Sequence, residues 1–248
     1  RRQRQMCIRD RNRGQDLLTR AKQVDDYISY RHRIQHLPYR VISLTGSSAH
    51  MRVIDPYSNK EKEMISFVSN DYLGLSHHPE VIKAGIDALE QYGAGAGASP
   101  LIGGHNFLHE QLEQEIAHFL KNEYAITYTS GYAANCSTLL AMMGKEDIAI
   151  MDMFTHASVF DGCLCTNTKR FLHNDIDSLV HVLNNAKSFK NRFVIIDGVY
   201  SQDGDIAFLD QIYTVCKEHD AFLIVDDAHG IGVFCLLYTS PSPRDPKT

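Results

Sequence analysis

The sequence predicts an α/β protein in which a mostly parallel sheet is covered by helices on both faces. In the second half of the chain, short apolar runs alternate with helical segments, and this order is typical of parallel sheets because each crossover contains a helix. Phe222 to Val225 is apolar without interruption, as expected for a strand buried on both faces. Polar residues directly follow several apolar runs, at the sheet edge where such folds bind ligands.

The composition indicates a soluble globular protein with a small-molecule site. The chain has 248 residues, of which 44% are hydrophobic and 22% charged, enough to bury one large core. A net charge of −5 provides no general attraction for nucleic acid or acidic lipid, so we expect neither a nucleic-acid partner nor a membrane span. The arginine-rich amino end has no apolar run behind it, which argues against a secretory signal.

The six cysteines are scattered along the chain rather than spaced as a disulfide or metal-binding framework. We therefore expect reduced thiols, a cytoplasmic location and no metal site, and a mitochondrial location stays open.

Residues 1–64 are expected to form an amino-terminal helix followed by small strands. Apolar side chains recur at helical spacing from residue 17 to residue 34, and Pro38 ends that pattern. Residues 41–69 alternate in polarity between turn residues, which predicts a small antiparallel sheet. A polar turn then leads into a helix near Pro79, which ends at Gly93 and has a predicted buried stripe of Val81, Ile82, Ile86 and Leu89.

Residues 65–234 are expected to form a larger domain, and residues 235–248, which have no helical or strand period, a non-native tail. A glycine-rich loop at 93–104 precedes a helix that Asn106 caps. Residues 124–129 predict a strand, and the turn of Ser130, Gly131 and Tyr132 before the next helix predicts an anion site for a phosphate. Further strands are expected at 148–151, 170–172, 193–196 and 223–225, with helices at 176–186 and 209–219.

The candidate site lies where these strands end. Asp226 follows the last apolar run, and His229 stands three residues later. A carboxylate in this position can hold a protonated ring nitrogen, and the imidazole can reach a phenolic oxygen of the same ring. The same acids also fit a metal, a ribose or a helix cap. His156 and the loop that begins at Asp197 should meet at this edge.

The ordered motifs resemble the α-oxoamine synthases, pyridoxal-phosphate (PLP) enzymes of fold type I that join an amino acid to an acyl thioester with loss of carbon dioxide. The resemblance extends from about residue 65 to residue 233. It rests on SNDYLGLSHHPEV, the glycine loop ending in HEQLE, SGYAAN, AMMGKED, THAS, RFLHND, DGVYSQDGD and VDDAHGIGV. Within the family, the motif sequences are most similar to those of the member that acts in biotin synthesis. This resemblance implies alanine and a pimeloyl thioester as substrates and a homodimer as the assembly.

The resemblance also implies a role for each matching residue. Gly131 and Tyr132 would hold the cofactor phosphate, and His156 would stack on the pyridine ring. Asp226 would pair with the ring nitrogen and keep it protonated. The remaining implied contacts are those of His229 and Ser201 with the phenolic oxygen, and of Asn70 with the substrate carboxylate.

Three departures from the family pattern bear on activity. Ser99 and Pro100 stand where relatives have a basic residue. The lysine that forms the family's internal Schiff base has no counterpart in this sequence. After Phe234 the amino-acid sequence no longer resembles the family, including its small carboxyl-terminal domain. We therefore expect this chain to be a fragment that is inactive alone. Another α-oxoamine synthase using glycine or serine, a non-catalytic partner subunit and a plain aminotransferase remain alternatives.

Overall fold

The structure, a computed structural model, describes residues 14–36 and 40–233. The arginine-rich amino end, Pro38 and the tail after Val233 lie outside the described residues. The chain divides into two units, Arg1–Ala88 and Leu89–Thr248. The domain boundary expected between residues 64 and 65 stays a prediction.

The first unit contains the expected helix and small sheet. Helix α1, Leu17–Arg33, begins at Asp16, whose side chain accepts the Thr19 amide hydrogen at 3.1 Å and so satisfies a donor that the first turn leaves open. Three antiparallel strands follow in the order β1-β2-β3. Their bounds are Ile42–Ser43, His50–Ile54 and Glu61–Ile65.

Helix α2, Pro79–Tyr92, has the expected ends, but its predicted buried stripe is wrong. Pro79 is the first residue, and Gly93 follows the last with a φ of 80°, a conformation that glycine adopts without a steric cost. All four stripe residues are about half exposed. Spacing identifies the apolar face of a helix but not what packs against it.

The glycine-rich loop before α3, Phe107–Phe119, is closely packed against itself. Gly103 has a φ of 144°, and a Cβ at Gly104 would overlap the backbone of Ala98. Asn106 caps α3 as predicted, since its side chain accepts the amide hydrogens of Leu108 and His109.

The core of the second unit is a parallel four-stranded sheet in the order β5-β4-β6-β7. In chain order the strands are Ile148–Asp152, Asn167–Phe171, Arg192–Asp197 and Phe222–Asp226. The helices are α4, Gly131–Met142; α5, Ala157–Gly162; α6, Ile176–Asn184; and α7, Leu209–Glu218.

The two faces of this sheet pack against different helices, which confirms the predicted fold class. Ile148 and Ile150 point into a cluster with α6 and α7, and the alternate residues Ala149 and Met151 point into one with α4 and α5. All four are almost fully buried. A strand whose two faces are both covered is apolar throughout, which is why the sequence predicts β4 and β6 well.

One strand prediction is wrong, and another is wrong in part. Residues 124–129 belong to neither sheet, and the amide of Thr127 donates to the Glu113 carboxylate at 2.8 Å instead. A β-branched and aromatic run becomes a strand only when a neighbour pairs with it. Strand β7 forms as expected but borders the described sheet, so Phe222 is more than half exposed and the strand is not buried on both faces.

Candidate functional site

The side chain of Asp226, the last residue of β7, is held at both carboxylate oxygens. Oδ2 accepts a hydrogen from the Asn135 amide at 2.7 Å, and Oδ1 accepts the backbone N–H of Ala228 at 3.1 Å. The backbone of Asp226 is fixed as well, because its carbonyl accepts the Gly198 amide hydrogen at 2.8 Å. The carboxylate therefore has a defined orientation at the carboxyl edge of the sheet.

A chain of hydrogen bonds joins Asp226 to His156. The Asn135 amide also donates to the Ser158 hydroxyl at 2.9 Å, and this hydroxyl lies 2.6 Å from Nδ1 of His156. Ser158 is fully buried, so its hydroxyl needs both partners. The structure thus brings the acid and the imidazole that the sequence predicts into one polar network.

His156 also caps helix α5. Its Nδ1 accepts the Ser158 backbone hydrogen at 3.3 Å, and its own amide donates to Asp197 Oδ1 at 3.3 Å. A ring nitrogen that accepts a backbone N–H is unprotonated, so in the neutral ring the hydrogen is on Nε2. The imidazole is exposed and can present Nε2 to a bound molecule.

Asp197 is a second acid beside Asp226. The two residues are register partners at the ends of β6 and β7, and Asp197 is almost fully buried. Burial, and then the charge of Asp226, raise the pKa of the Asp197 carboxyl to about 7. One acid of the pair is thus protonated more easily than an ordinary carboxyl, since two neighbouring carboxylates repel each other in a poorly solvated place.

The predicted phosphate turn lies at the start of α4. The Ser130 side chain caps the helix by accepting the Ala133 amide hydrogen at 3.1 Å, which leaves the amides of Gly131 and Tyr132 in the first turn without helical acceptors. The space beside the Gly131 Cα is open within 4 Å. Free amides at a helix start attract anions.

Tyr132 faces His156 across this turn. The two rings lie 6.2 Å apart, edge to face. The Tyr132 hydroxyl donates a hydrogen bond to Asp161, and this bond raises the pKa of Tyr132 to about 12. The phenol is therefore neutral at physiological pH.

Three further residues are predicted to contact the cofactor or the substrate: His229, Ser201 and Asn70. His229 lies partly buried in the turn after β7, and Ser201 is exposed in the turn after β6. Asn70 belongs to the first unit, where its side chain accepts a hydrogen from the Tyr72 hydroxyl at 3.5 Å. The roles of these three residues stay predictions.

Sequence reasoning did not single out Asn135 and Ser158 as site residues, although both stand inside quoted motifs. Asn135 is four residues after Gly131, which puts the two on one face of α4. The sequence could therefore have placed Asn135 near the predicted phosphate turn. It could not have placed Asn135 beside Asp226, because the two residues are 91 positions apart. No local pattern reports a contact of that range.

One group among the described side chains has ligand types suited to a metal ion. The candidate ligand atoms of His105, Glu110 and Glu113 all lie within 4.8 Å of one another, at the start of α3. Glu113 is committed elsewhere through its other oxygen, which accepts two hydrogen bonds from Thr127. His105 lies 3.2 Å from Glu110, and the hydrogen bond between them lowers the pKa of the Glu110 carboxyl.

Four of the six cysteines lie within the described residues. Cys136, Cys163, Cys165 and Cys216 are free. No helix within the described ranges combines the length and apolarity needed to cross a bilayer.

Comparison with known proteins assigns the chain to a family. The profile of aminotransferase class I and II matches residues 62–241. The chain is 41% identical to an 8-amino-7-oxononanoate synthase from Saccharophagus degradans over 207 residues, which are 83% of this chain and 51% of that relative.

Solved structures give the same result. The serine palmitoyltransferase of Sphingomonas wittichii matches with a TM-score of 0.78 and 31% identity, over 88% of this chain and 54% of its own. A serine palmitoyltransferase from S. paucimobilis with bound PLP matches with a TM-score of 0.76 and 30% identity, over 85% and 54%. The chain spans about half the length of the relatives it matches. It belongs to the aminotransferase class I and II family, within the α-oxoamine synthase group.

Proposed function

We propose that the complete protein is a PLP-dependent acyltransferase that condenses an amino acid with an acyl thioester and releases carbon dioxide. Alanine and a pimeloyl thioester, on CoA or a carrier protein, are the first substrate pair to test, because relatives at about 40% identity are named 8-amino-7-oxononanoate synthases. The observation on which the proposal most depends is the oriented carboxylate of Asp226, which Asn135 and the Ala228 amide hold in place.

The described residues fit PLP chemically. Free amides at Gly131 and Tyr132 suit a phosphate, and an acid at the tip of β7 suits a protonated pyridine nitrogen. The exposed imidazole of His156 suits the face of an aromatic ring. When bound, this cofactor supplies an electron sink for the negative charge that forms at the α-carbon of the amino acid.

The residues of the chain would orient the cofactor and the amino acid and would stabilise the charges that develop on them. Asp226 would hold a proton on the ring nitrogen, and Asn135 would keep that carboxylate from rotating away. His156 would limit how the amino acid is oriented over the ring. His229 and Ser201 would bind the phenolic oxygen, and Asn70 the substrate carboxylate. Fixed dipoles of this kind stabilise developing charge without reorganising during the reaction.

The remaining parts of the proposal concern assembly and location. We expect a homodimer, since the family resemblance implies one, and a cytoplasmic location, since the four cysteines within the described residues are free. Neither follows from the contacts within one chain.

A second candidate is a serine palmitoyltransferase-like reaction, in which serine and a longer acyl thioester replace alanine and the pimeloyl group. The specific support is the structural similarity to two serine palmitoyltransferases at TM-scores of 0.76 and 0.78. The two candidates share the proposed site and differ in the substrates that they predict.

The first test is an assay of the complete protein with alanine, serine or glycine and with pimeloyl or palmitoyl thioesters. Release of the free thiol is measured together with the absorbance of bound cofactor. Thiol release with alanine and the pimeloyl thioester supports the first candidate. Cofactor-free protein that releases no thiol with any pair would exclude both.

The second test is Asp226→Asn in the complete protein. We expect turnover to fall by about a hundredfold or more, because a neutral amide no longer stabilises the ring proton. The amide oxygen of the variant can accept from only one of the two donors, Asn135 and Ala228. We therefore expect the fold to stay intact while the unfolding free energy falls by about 1–2 kcal/mol. Asp220→Asn, an exposed acid just before the same strand, is the matched control. Equal turnover of the two variants would refute the assignment of Asp226.

A further inference from the structure

A second polar cluster lies on the same sheet edge, beyond β4 and β5. Asp152, the last residue of β4, is fully buried. His173, two residues after β5, places its Nδ1 at 2.9 Å from Asp152 Oδ1. No role for this pair follows from the proposed chemistry, and the sequence did not single it out.

Three hydrogen-bond contacts in the structure hold the buried carboxylate of Asp152, and His173 makes one of them. Oδ1 also accepts the Phe154 backbone hydrogen at 2.8 Å, and Oδ2 accepts that of Asn174 at 3.0 Å. A buried carboxylate without enough donors is strongly destabilising. Loss of the imidazole would therefore disturb the other two bonds as well.

Asp152 also shapes the turn that presents His156. Its carboxylate holds the Phe154 amide, and its carbonyl accepts the Thr155 hydroxyl hydrogen at 3.0 Å. The backbone of His156 comes next along the chain and donates to Asp197. Asp152 is the first residue of this turn, and His173 helps to fix Asp152. The position of the His156 ring thus depends on His173.

The other side of the His173 ring contacts the turn after β6. Nε2 lies 3.3 Å from Asp205 Oδ2, and the Asp205 carbonyl accepts the Tyr200 amide hydrogen at 2.9 Å. The buried Tyr200 ring contacts the His173 imidazole edge to face, with 4.4 Å between the ring centroids. The Phe154 ring stacks on the same imidazole, also at 4.4 Å. Ser201 is the next residue of this turn.

We propose that His173 is a positioning residue that couples the turn bearing His156 to the turn bearing Ser201. It touches neither predicted contact itself, and it acts through Asp152 on one side and Asp205 on the other. This inference rests on the proposed function, because the coupling would matter for activity only if both turns contact the same cofactor.

Two substitutions separate the two sides of the ring. An asparagine amide nitrogen occupies nearly the position of Nδ1, so His173→Asn keeps the contact with Asp152 and loses the contact with Asp205. A glutamine amide nitrogen occupies nearly the position of Nε2, so His173→Gln has the opposite effect. His181→Gln is the control, because His181 is an exposed histidine on the neighbouring helix α6.

The first measurement is amide hydrogen exchange in the cofactor-free complete protein. We expect His173→Gln to speed exchange about tenfold in residues 152–158, as the loss of a hydrogen bond to a charged group implies. His173→Asn should leave that segment near the wild-type rate and release residues 200–205 instead. The control should change neither segment.

The second measurement is titration with PLP, followed by the circular dichroism of the bound cofactor, which reports how the ring is oriented. His173→Gln should weaken binding about tenfold and alter the dichroic band, because the His156 ring moves. If this variant does not fold, the opposite exchange pattern of His173→Asn still tests the coupling.

The outcomes distinguish this inference from the proposed function. A wild-type protein that does not bind PLP refutes the proposed function, and with it the cofactor part of this inference. If the wild type binds PLP and both His173 variants match His181→Gln in exchange and dichroism, the inference is wrong and the proposed function stands.

Discussion

At the scale of single residues, the fold favours the protonated form of Asp197, a buried acid at the sheet edge. Asp197 has its pKa raised to about 7 by burial and by the charge of Asp226, although its Oδ1 accepts the His156 amide hydrogen. An acid with a raised pKa in the folded state binds its proton more tightly there than in the unfolded chain. Stability therefore falls as the pH rises from about 4 through about 7, and this loss is complete above that range.

This sign leads to a prediction for Asp197→Asn in the cofactor-free protein. The variant keeps an oxygen for the His156 amide but no longer titrates. Its unfolding free energy should decline less than that of the wild type between about pH 5 and about pH 8. Urea unfolding at several pH values measures this difference. Asp203→Asn, an exposed acid in the turn after β6, should follow the wild-type curve, and parallel curves for all three proteins would contradict the prediction.

Residue identity explains which part of the site could be predicted from the sequence. Asp226 and His156 directly follow apolar runs, so topology alone puts them at one edge. Asn135 and His173 act through hydrogen bonds to acids that are 91 and 21 residues away. Such bonds depend on how strands and helices meet in space, and no periodicity in the sequence encodes them.

At the scale of elements, the close approach of α4 and α5 holds the network together. Asn135 lies on α4, and His156 and Ser158 lie at the start of α5. Gly162 ends α5, and a Cβ there would lie 3.1 Å from both the Cys136 Cα and the Leu139 Cβ. Glycine therefore permits this packing because it has no side chain.

Gly162→Ala should destabilise the protein by about 1–3 kcal/mol, because the added methyl group overpacks the contact between the helices. Gly85→Ala is the matched control. Gly85 is on α2 with nothing within 4 Å of its added Cβ, so this variant should gain about 0.5–1 kcal/mol from helix propensity. Chemical unfolding of both variants measures the contrast, and a neutral or stabilising Gly162→Ala would show that the helices can separate freely.

The elements also show why some predictions from the sequence failed. Strands β4 and β6 were predictable because apolar neighbours cover both of their faces. Residues 124–129 have the composition of a strand, but among the described residues no strand pairs with them. The short helix α5 was not predicted, because six residues cannot display a helical period.

At the scale of the whole molecule, the chain exposes many large apolar side chains. Phe67 and Leu101 are each 92% exposed, and the apolar stripe of α2 is about half exposed. Soluble monomers rarely leave large apolar patches uncovered. We propose that other protein covers part of this apolar surface.

We predict that the purified 248-residue chain binds a hydrophobic dye and self-associates as its concentration rises. Light scattering coupled to size-exclusion chromatography measures the mass, and dye fluorescence measures the exposed surface. We propose that the chain is a piece of a longer protein, so that longer protein is the control and should bind less dye per chain. A monodisperse monomer that binds no more dye than the complete protein would oppose this prediction.

The border position of β7 has a consequence for how the site matures. The strand that bears Asp226 pairs through its backbone with β6 alone among the described strands, and its outer amides and carbonyls form an open template. Thermal fraying is greatest where a strand is supported from one side. We therefore expect the backbone of β7 to open more often than that of β6, while Asn135 and the amides of Ala228 and Gly198 keep Asp226 itself oriented.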